Sequence, residues 1–107
     1  MKPYTSYRDD LLQDLKDSRQ AAAYLNAALE ARDEKAFLLA LRNVLEAQGG
    51  IAKFSQKTKI NRVSIYKMLS DRGNPEWGSV MSLLDALGIR FQIVQKRLKT
   101  KADKRAA

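Results

Sequence analysis

The sequence contains no cysteine and no histidine. Without cysteine the chain can form neither disulfide bonds nor thiolate metal sites, which fits a reducing compartment. Without histidine it also lacks a common metal ligand and the side chain that most readily exchanges protons near neutral pH. Aspartates near the start could supply paired carboxylates, but no base, nucleophile or phosphate-binding glycine loop accompanies them. We therefore expect no enzyme: no catalytic residue, no metal and no cofactor.

Long apolar segments are also missing. No run of about 18 apolar residues exists, and the opening MKPYTSYRDDLL lacks the apolar stretch of a signal peptide. We expect a cytoplasmic protein that makes no membrane contact. With 107 residues, of which 45% are hydrophobic, the chain can form one domain with a single modest core.

Charge is distributed unevenly along the chain. The net charge of +8 favours a polyanionic partner such as nucleic acid. Residues 1–34 hold five basic and seven acidic residues, whereas residues 35–94 hold nine basic and four acidic ones. Residues 95–107 hold six basic residues and one aspartate, and we expect this basic tail to be disordered. An acidic front and a basic remainder suggest two partners of opposite character.

Apolar residues at helical spacing predict a mainly α-helical fold of five to six short helices. The pair Gly49-Gly50 ends the third helix, residues 51–58 fit a fourth, and a sixth begins near Trp77, which we expect to anchor it. Gly88 ends the sixth helix. The expected N-cap residues are Ser6, Asp17 or Ser18, Asp33 and Asn61.

After the sixth helix the hydrophobic period changes from helical spacing to alternation. In residues 89–94, Ile89, Phe91 and Ile93 fall on one side, which predicts a C-terminal β-strand. A lone strand leaves its backbone unpaired, and no second strand is evident in the sequence. The expected partner is therefore the same strand of a second subunit, and we expect a homodimer held through these three residues.

The fourth and fifth helices, joined by a turn at Lys59 and Ile60, predict a helix-turn-helix within residues 49–72, which hold six basic residues and one aspartate. In this motif the second helix enters the major groove N-terminus first, so the residues after its cap face base edges. Arginine can pair bidentately with guanine, and valine can contact a thymine methyl group. The expected base-contacting residues are Asn61, Arg62, Val63, Ser64, Tyr66 and Lys67. The expected phosphate-contacting residues, which add salt-dependent affinity for double-stranded DNA, are Lys53, Gln56, Lys57 and Lys59.

Other interpretations of the same residues stay open. Any surface helix of a basic protein shows a polar face, so the fifth helix could simply lie on the core. The helices of residues 1–34 either contact a protein partner or only complete the core. A basic tail that binds RNA or a membrane is a weaker alternative, because the tail lacks aromatic residues that stack or insert.

Four short motifs together carry a family resemblance: AAAYLNAALE at 21–30, RVSIYKMLS at 62–70, GNP at 73–75 and ALGIR at 86–90. Over residues 11–94 the chain resembles the addiction-module antidote proteins, the HigA-like antitoxins with an Xre-type helix-turn-helix in a lambda-repressor-like fold. The resemblance implies a sequence-specific DNA-binding antitoxin that represses its own toxin–antitoxin operon and neutralises a co-encoded toxin, usually a RelE/ParE-like ribonuclease. A stand-alone Xre-type regulator without a toxin partner is the alternative.

We therefore expect one helical domain over residues 1–94. It comprises N-terminal helices at 1–34, where a toxin could bind, a helix-turn-helix core at 35–88 and the strand at 89–94. Two residues depart from the family's pattern. Lys59 stands where the family usually has glycine, which is sterically costly if the backbone there adopts a positive φ. Ser55 replaces the small alanine expected where the two helices cross.

Overall fold

The computed structural model describes residues 4–96, with side chains from residue 7 onward. Six α-helices follow one another in this part of the chain, and it contains no β-strand. They are α1 (Tyr4–Asp14), α2 (Ser18–Glu30), α3 (Glu34–Ala47), α4 (Ile51–Thr58), α5 (Arg62–Met68) and α6 (Trp77–Ala86). The predicted disordered tail lies, from residue 97 onward, outside the described residues.

Side-chain caps fix the starts of three helices, as the sequence predicts. The carboxylate of Asp17 accepts a hydrogen bond from the Arg19 backbone N–H at 2.8 Å, and that of Asp33 accepts one from Ala36 at 3.1 Å. Asn61 caps α5 in the same way. The predicted cap at Ser6 is wrong, because α1 begins at Tyr4 and an N-cap residue must precede the helical backbone.

Helix α3 is the centre of the core. It packs against α1, α2 and α4, and α4 in turn packs against α5 and α6. Leu41, Val44 and Leu45 of α3 are completely buried, because apolar residues at this spacing form a broad face on one helix. The N-terminal region completes this core through Leu15, which follows α1, and through Ala21 and Leu25 of α2.

The predicted β-strand at residues 89–94 is not found: this segment follows α6 without regular secondary structure. The physical reason is that a strand needs a second strand to satisfy its backbone, and the described part of one chain offers none. The start of the segment is nevertheless fixed. Ile89 donates its backbone N–H to the Leu84 carbonyl at 2.9 Å, and the Phe91 ring lies 5.0 Å from the ring of Trp77 and 6.2 Å from that of Phe37.

Trp77 differs from the expectation that it anchors α6. Its side chain is 64% exposed and stacks on Phe91, with an angle of 20° between the two rings. The buried residues of α6 are Val80, Leu83 and Leu84, one face of the helix, and these attach it to the core. The aromatic stack therefore holds residues 89–91 against the domain rather than burying Trp77.

Candidate nucleic-acid interface

A three-residue connection, residues 59–61, sets the geometry between α4 and α5. Lys59 adopts the left-handed conformation at φ 66°, so the steric cost expected from the sequence is present. Ser55 Oγ donates a hydrogen bond to the Ile60 carbonyl at 2.6 Å, and the Ile60 N–H donates to Thr58 Oγ1 at 3.2 Å. Side-chain hydroxyls thus satisfy the backbone of the turn. Serine at position 55 supplies a donor that an alanine would not have.

Helix α5 is short, with seven residues, and is held at its start and along one face. Asn61 Oδ1 accepts hydrogen bonds from the backbone N–H groups of Val63 at 2.7 Å and Ser64 at 3.4 Å. Ile65 is completely buried and Met68 nearly so. Because an isolated helix of this length is unstable in water, the cap and these two apolar contacts keep it folded.

The opposite face of α5 is open to solvent and carries the side chains predicted to contact bases. Val63 is 63% exposed and Tyr66 is 42% exposed. Arg62, Ser64 and Lys67 are exposed as well, so the structure brings these five predicted residues together on one helix surface. Asn61, the sixth predicted residue, is exposed at the end of that surface, but its side-chain oxygen already accepts the two hydrogen bonds that cap α5.

The residues predicted to contact phosphates do not behave as one group. Lys53 Nζ donates to the Gln48 carbonyl at 3.1 Å, at the end of α3, and Lys57 Nζ donates to the Ala86 carbonyl at 3.3 Å, at the end of α6. The two ammonium groups lie 5.5 and 5.6 Å from the centroid of the Phe54 ring. Each lysine therefore places its positive charge at the C-terminal end of a helix, where the helix dipole is negative and carbonyl groups lack helical partners.

Gln56 and Lys59, the other two residues predicted to contact phosphates, are exposed beside the turn.

Arg42, on α3, is a residue of this surface that the sequence analysis missed. Its guanidinium carbon lies 5.3 Å from the centroid of the Tyr66 ring. Its Nε donates to Glu46 Oε1 at 3.4 Å, and Glu46 Oε2 accepts from Arg8 Nη2 at 2.5 Å. The sequence signal was the spacing of Arg42 and Glu46, four residues apart on one helix, which favours an ion pair.

The residues predicted to form a dimer interface are divided by the structure. Ile89 and Phe91 are partly buried against the core, whereas Ile93 is 99% exposed. A groove with a volume of about 250 Å³ lies between α2 and this segment, lined among others by Leu29 and Val94. Polar side chains, among them Asn26 and Arg90, line the same groove.

Within residues 4–96, no group of three or more carboxylates is arranged so that it could hold a metal ion. In the same part of the chain, every helix is too short or too polar to cross a membrane.

Comparison with known proteins identifies the family. The sequence profile of the family described as "Probable addiction module antidote protein" matches residues 6–95 of this chain. An uncharacterised protein of Haemophilus influenzae is 31% identical over 88 residues, which cover 82% of this chain and 90% of that protein. No solved structure gives a significant match. The profile match covers most of α1 and all of the other five helices, and the chain therefore belongs to the family of probable addiction module antidote proteins.

Proposed function

We propose that this protein is a DNA-binding antitoxin that acts in the cytoplasm, where it represses its own toxin–antitoxin operon and neutralises a co-encoded RelE/ParE-like ribonuclease. In this proposal α4 and α5 form an Xre-type helix-turn-helix of the HigA-like, lambda-repressor-like kind. The observation that carries it is the exposed face of α5, where Arg62, Val63 and Ser64 follow directly after the Asn61 cap. No step of the proposal requires catalysis.

The proposed mode of DNA binding places the start of α5 in the major groove. A helix fits this groove, and side chains of its first turn reach base edges. Arg62 would pair with the two acceptors of a guanine, Val63 would contact a thymine methyl group and Ser64 would bond to either kind of base. Tyr66 and Lys67 follow one turn later. The buried Ile65 and Met68 keep this surface rigid, which supports a defined register on the DNA.

Backbone contacts would add affinity without sequence information. Lys59 and Gln56 are exposed beside the turn and could reach phosphates next to the bases read by α5. Lys53 and Lys57 donate to helix C-termini, so we assign them a smaller part in phosphate binding than the sequence alone suggested. Each phosphate contact made by a cation steepens the fall of affinity with salt.

A homodimer would present two copies of α5 to one operator. Successive major-groove sites on one side of DNA lie about 34 Å apart, so a symmetric dimer reads a palindromic sequence. The support for dimerisation lies in residues 89–94, whose start is fixed by the Phe91 stack while Ile93 and Val94 are exposed. Pairing this segment with its copy would satisfy the backbone groups along one edge of each segment and would bring Ile93 against the second copy.

The family membership implies a toxin partner. Residues 1–34 hold seven acidic and five basic residues, which suits a basic ribonuclease. Leu11 and Leu12 of α1 are partly buried against the core, whereas Tyr7 and Asp9 of the same helix are exposed. Completing the core and binding a toxin therefore use different faces of the same helices, and we propose that both occur.

The first test is DNA binding. Purified protein is titrated over a range of salt concentrations against the DNA upstream of its own coding region and against a scrambled duplex. We expect selective binding with a steep salt dependence. Arg62→Ala should weaken operator binding by about tenfold to a hundredfold and relax selectivity at one base pair, whereas Arg19→Ala, an exposed arginine on α2, should not. Full operator affinity for Arg62→Ala at fixed salt would remove α5 from the proposed interface.

The second test separates an antitoxin from a stand-alone regulator. The protein is co-expressed with the product of the neighbouring reading frame. An antitoxin should co-purify with that product and relieve its growth inhibition, while a stand-alone regulator should do neither and still bind the operator. Exchanging Asp9 and Asp10 for Lys should weaken the complex if α1 contacts the toxin.

A further inference from the structure

A chain of side-chain contacts runs from α1 across α3 to the exposed face of α5. The last contact of this chain joins the Arg42 guanidinium of α3 to the Tyr66 ring of α5. We propose that Arg42 is a positioning residue, which orients Tyr66 for base contact and is itself oriented by Glu46 and Arg8. This inference rests on the proposed function, because it names what fixes one of the side chains that would face DNA.

Tyr66 needs such a contact because the core does not fix its ring. The buried neighbours in α5, Ile65 and Met68, determine where the helix backbone lies. The Tyr66 side chain is 42% exposed, and a solvent-facing ring can occupy more than one rotamer. A guanidinium group over the ring face, 5.3 Å from its centroid, favours one of them through the attraction between a cation and an aromatic face.

Arg42 can do this only if its own guanidinium is held. Glu46 Oε1 accepts from Arg42 Nε at 3.4 Å, and the other oxygen of Glu46 accepts from Arg8 Nη2 at 2.5 Å. Arg8 Nη1 also donates to Asn43 Oδ1 at 3.3 Å, and Asn43, only 7% exposed, donates to the Tyr24 hydroxyl at 3.0 Å. The Arg8–Glu46 bond is exposed and the other three are part-buried, and together they connect the set to α3, the central helix of the core.

The DNA test compares Arg42→Ala with Lys35→Ala, which removes an exposed cation from the same helix. We expect Arg42→Ala to weaken operator binding by about threefold to tenfold and to lower selectivity at the same base pair that Tyr66→Ala affects. The slope of affinity against salt should stay unchanged. Lys35→Ala should leave base selectivity intact, and Arg42→Lys, which keeps a cation near the ring, should restore part of it.

A double-mutant cycle decides whether Arg42 acts through Tyr66. Once Tyr66 is alanine, the further change Arg42→Ala should weaken operator binding no more. Two additive losses would overturn the inference. A salt slope reduced by about one unit in Arg42→Ala would also overturn it, because it would identify Arg42 as a direct phosphate contact. Thermal unfolding of each variant verifies that the compared proteins are folded.

A measurement without DNA tests the contact separately. The Tyr66 ring should shift the side-chain proton resonances of Arg42 upfield in the NMR spectrum of the free protein, and Tyr66→Leu should abolish the shift. Glu46→Gln should reduce it. A wild-type protein that cannot distinguish operator from scrambled DNA would be a failure of the proposed function. A selective wild-type protein with unshifted Arg42 resonances would be a failure of the positioning inference alone.

Discussion

Lys59 is the residue at which local strain and proposed function meet. A side chain at φ 66° is disfavoured because its Cβ crowds the backbone, and glycine avoids this cost. We expect Lys59→Gly to raise the free energy of unfolding by about 0.5 to 1 kcal/mol, measured by urea denaturation. Lys59→Ala, which removes the charge and keeps the strain, should bring no such gain.

The same pair of variants separates strain from charge in DNA binding. Both should lower operator affinity, because both lose a cation beside the turn. If Lys59→Gly were less stable than the wild type, the conformational cost at this position would have been misjudged. A stabilised Lys59→Gly with weaker operator binding would mean that the lysine is retained for its charge.

Gly73 is required for a different reason, which is space. A Cβ atom built there would overlap the backbone carbonyl of Met68, the last residue of α5. We expect Gly73→Ala to lower the free energy of unfolding by about 1 to 3 kcal/mol, because the end of α5 must move. Gly78→Ala is the matched control: its Cβ meets nothing within 4 Å, and alanine in α6 should be neutral or stabilising. Equal stabilities for the two variants would contradict this argument.

At the scale of one element, α5 depends on its cap. Removing the side-chain acceptor in Asn61→Ala should cost about 1 kcal/mol of stability, measured by chemical denaturation, since two backbone N–H groups lose their partner. Asn61→Asp should retain the stability and still bind operator DNA more weakly, because a carboxylate repels phosphates. An Asn61→Ala protein as stable as the wild type would show that Ile65 and Met68 alone hold the helix.

Helix boundaries and caps were largely predictable because their causes are local. Asp17, Asp33 and Asn61 each bond to backbone groups two or three residues away, and the bounds of α4 follow from flanking turn residues. Ser6 is a good cap residue by type, yet α1 begins before it. Residue type thus identifies which residues can act as an N-cap, and the position at which the helix begins decides which of them does.

Contacts between distant elements were not predictable in the same way. Arg42 of α3 and Tyr66 of α5 meet because α4 packs against both helices, and nothing in the sequence near either residue indicates this contact. The charge of Lys53 and Lys57 predicts phosphate contacts, and only the packing of α4 shows that their ammonium groups also lie beside the ends of α3 and α6. The alternation in residues 89–94 is genuine, but a strand depends on a partner outside this segment.

At the scale of the whole molecule, the central question is what covers the exposed side chain of Ile93. Ile93 is 99% exposed, so it contributes almost nothing to the stability of one domain. In the proposed dimer it would instead pack against a second copy, and an aspartate there would bury a charge without a partner. Ile93→Asp should therefore leave the unfolding free energy of the domain unchanged while weakening self-association by at least about tenfold.

Sedimentation velocity over a range of protein concentrations measures this effect, with Gln92→Asp as the control, because residue 92 lies on the other side of an alternating segment. The control should self-associate like the wild type. Ile93→Asp should also bind a palindromic operator far more weakly than the wild type and a half-site equally well, because only a dimer engages both half-sites at once. Wild-type sedimentation of Ile93→Asp would exclude this segment as the dimer interface, and the paired copies of α5 would then have to be held together by another surface.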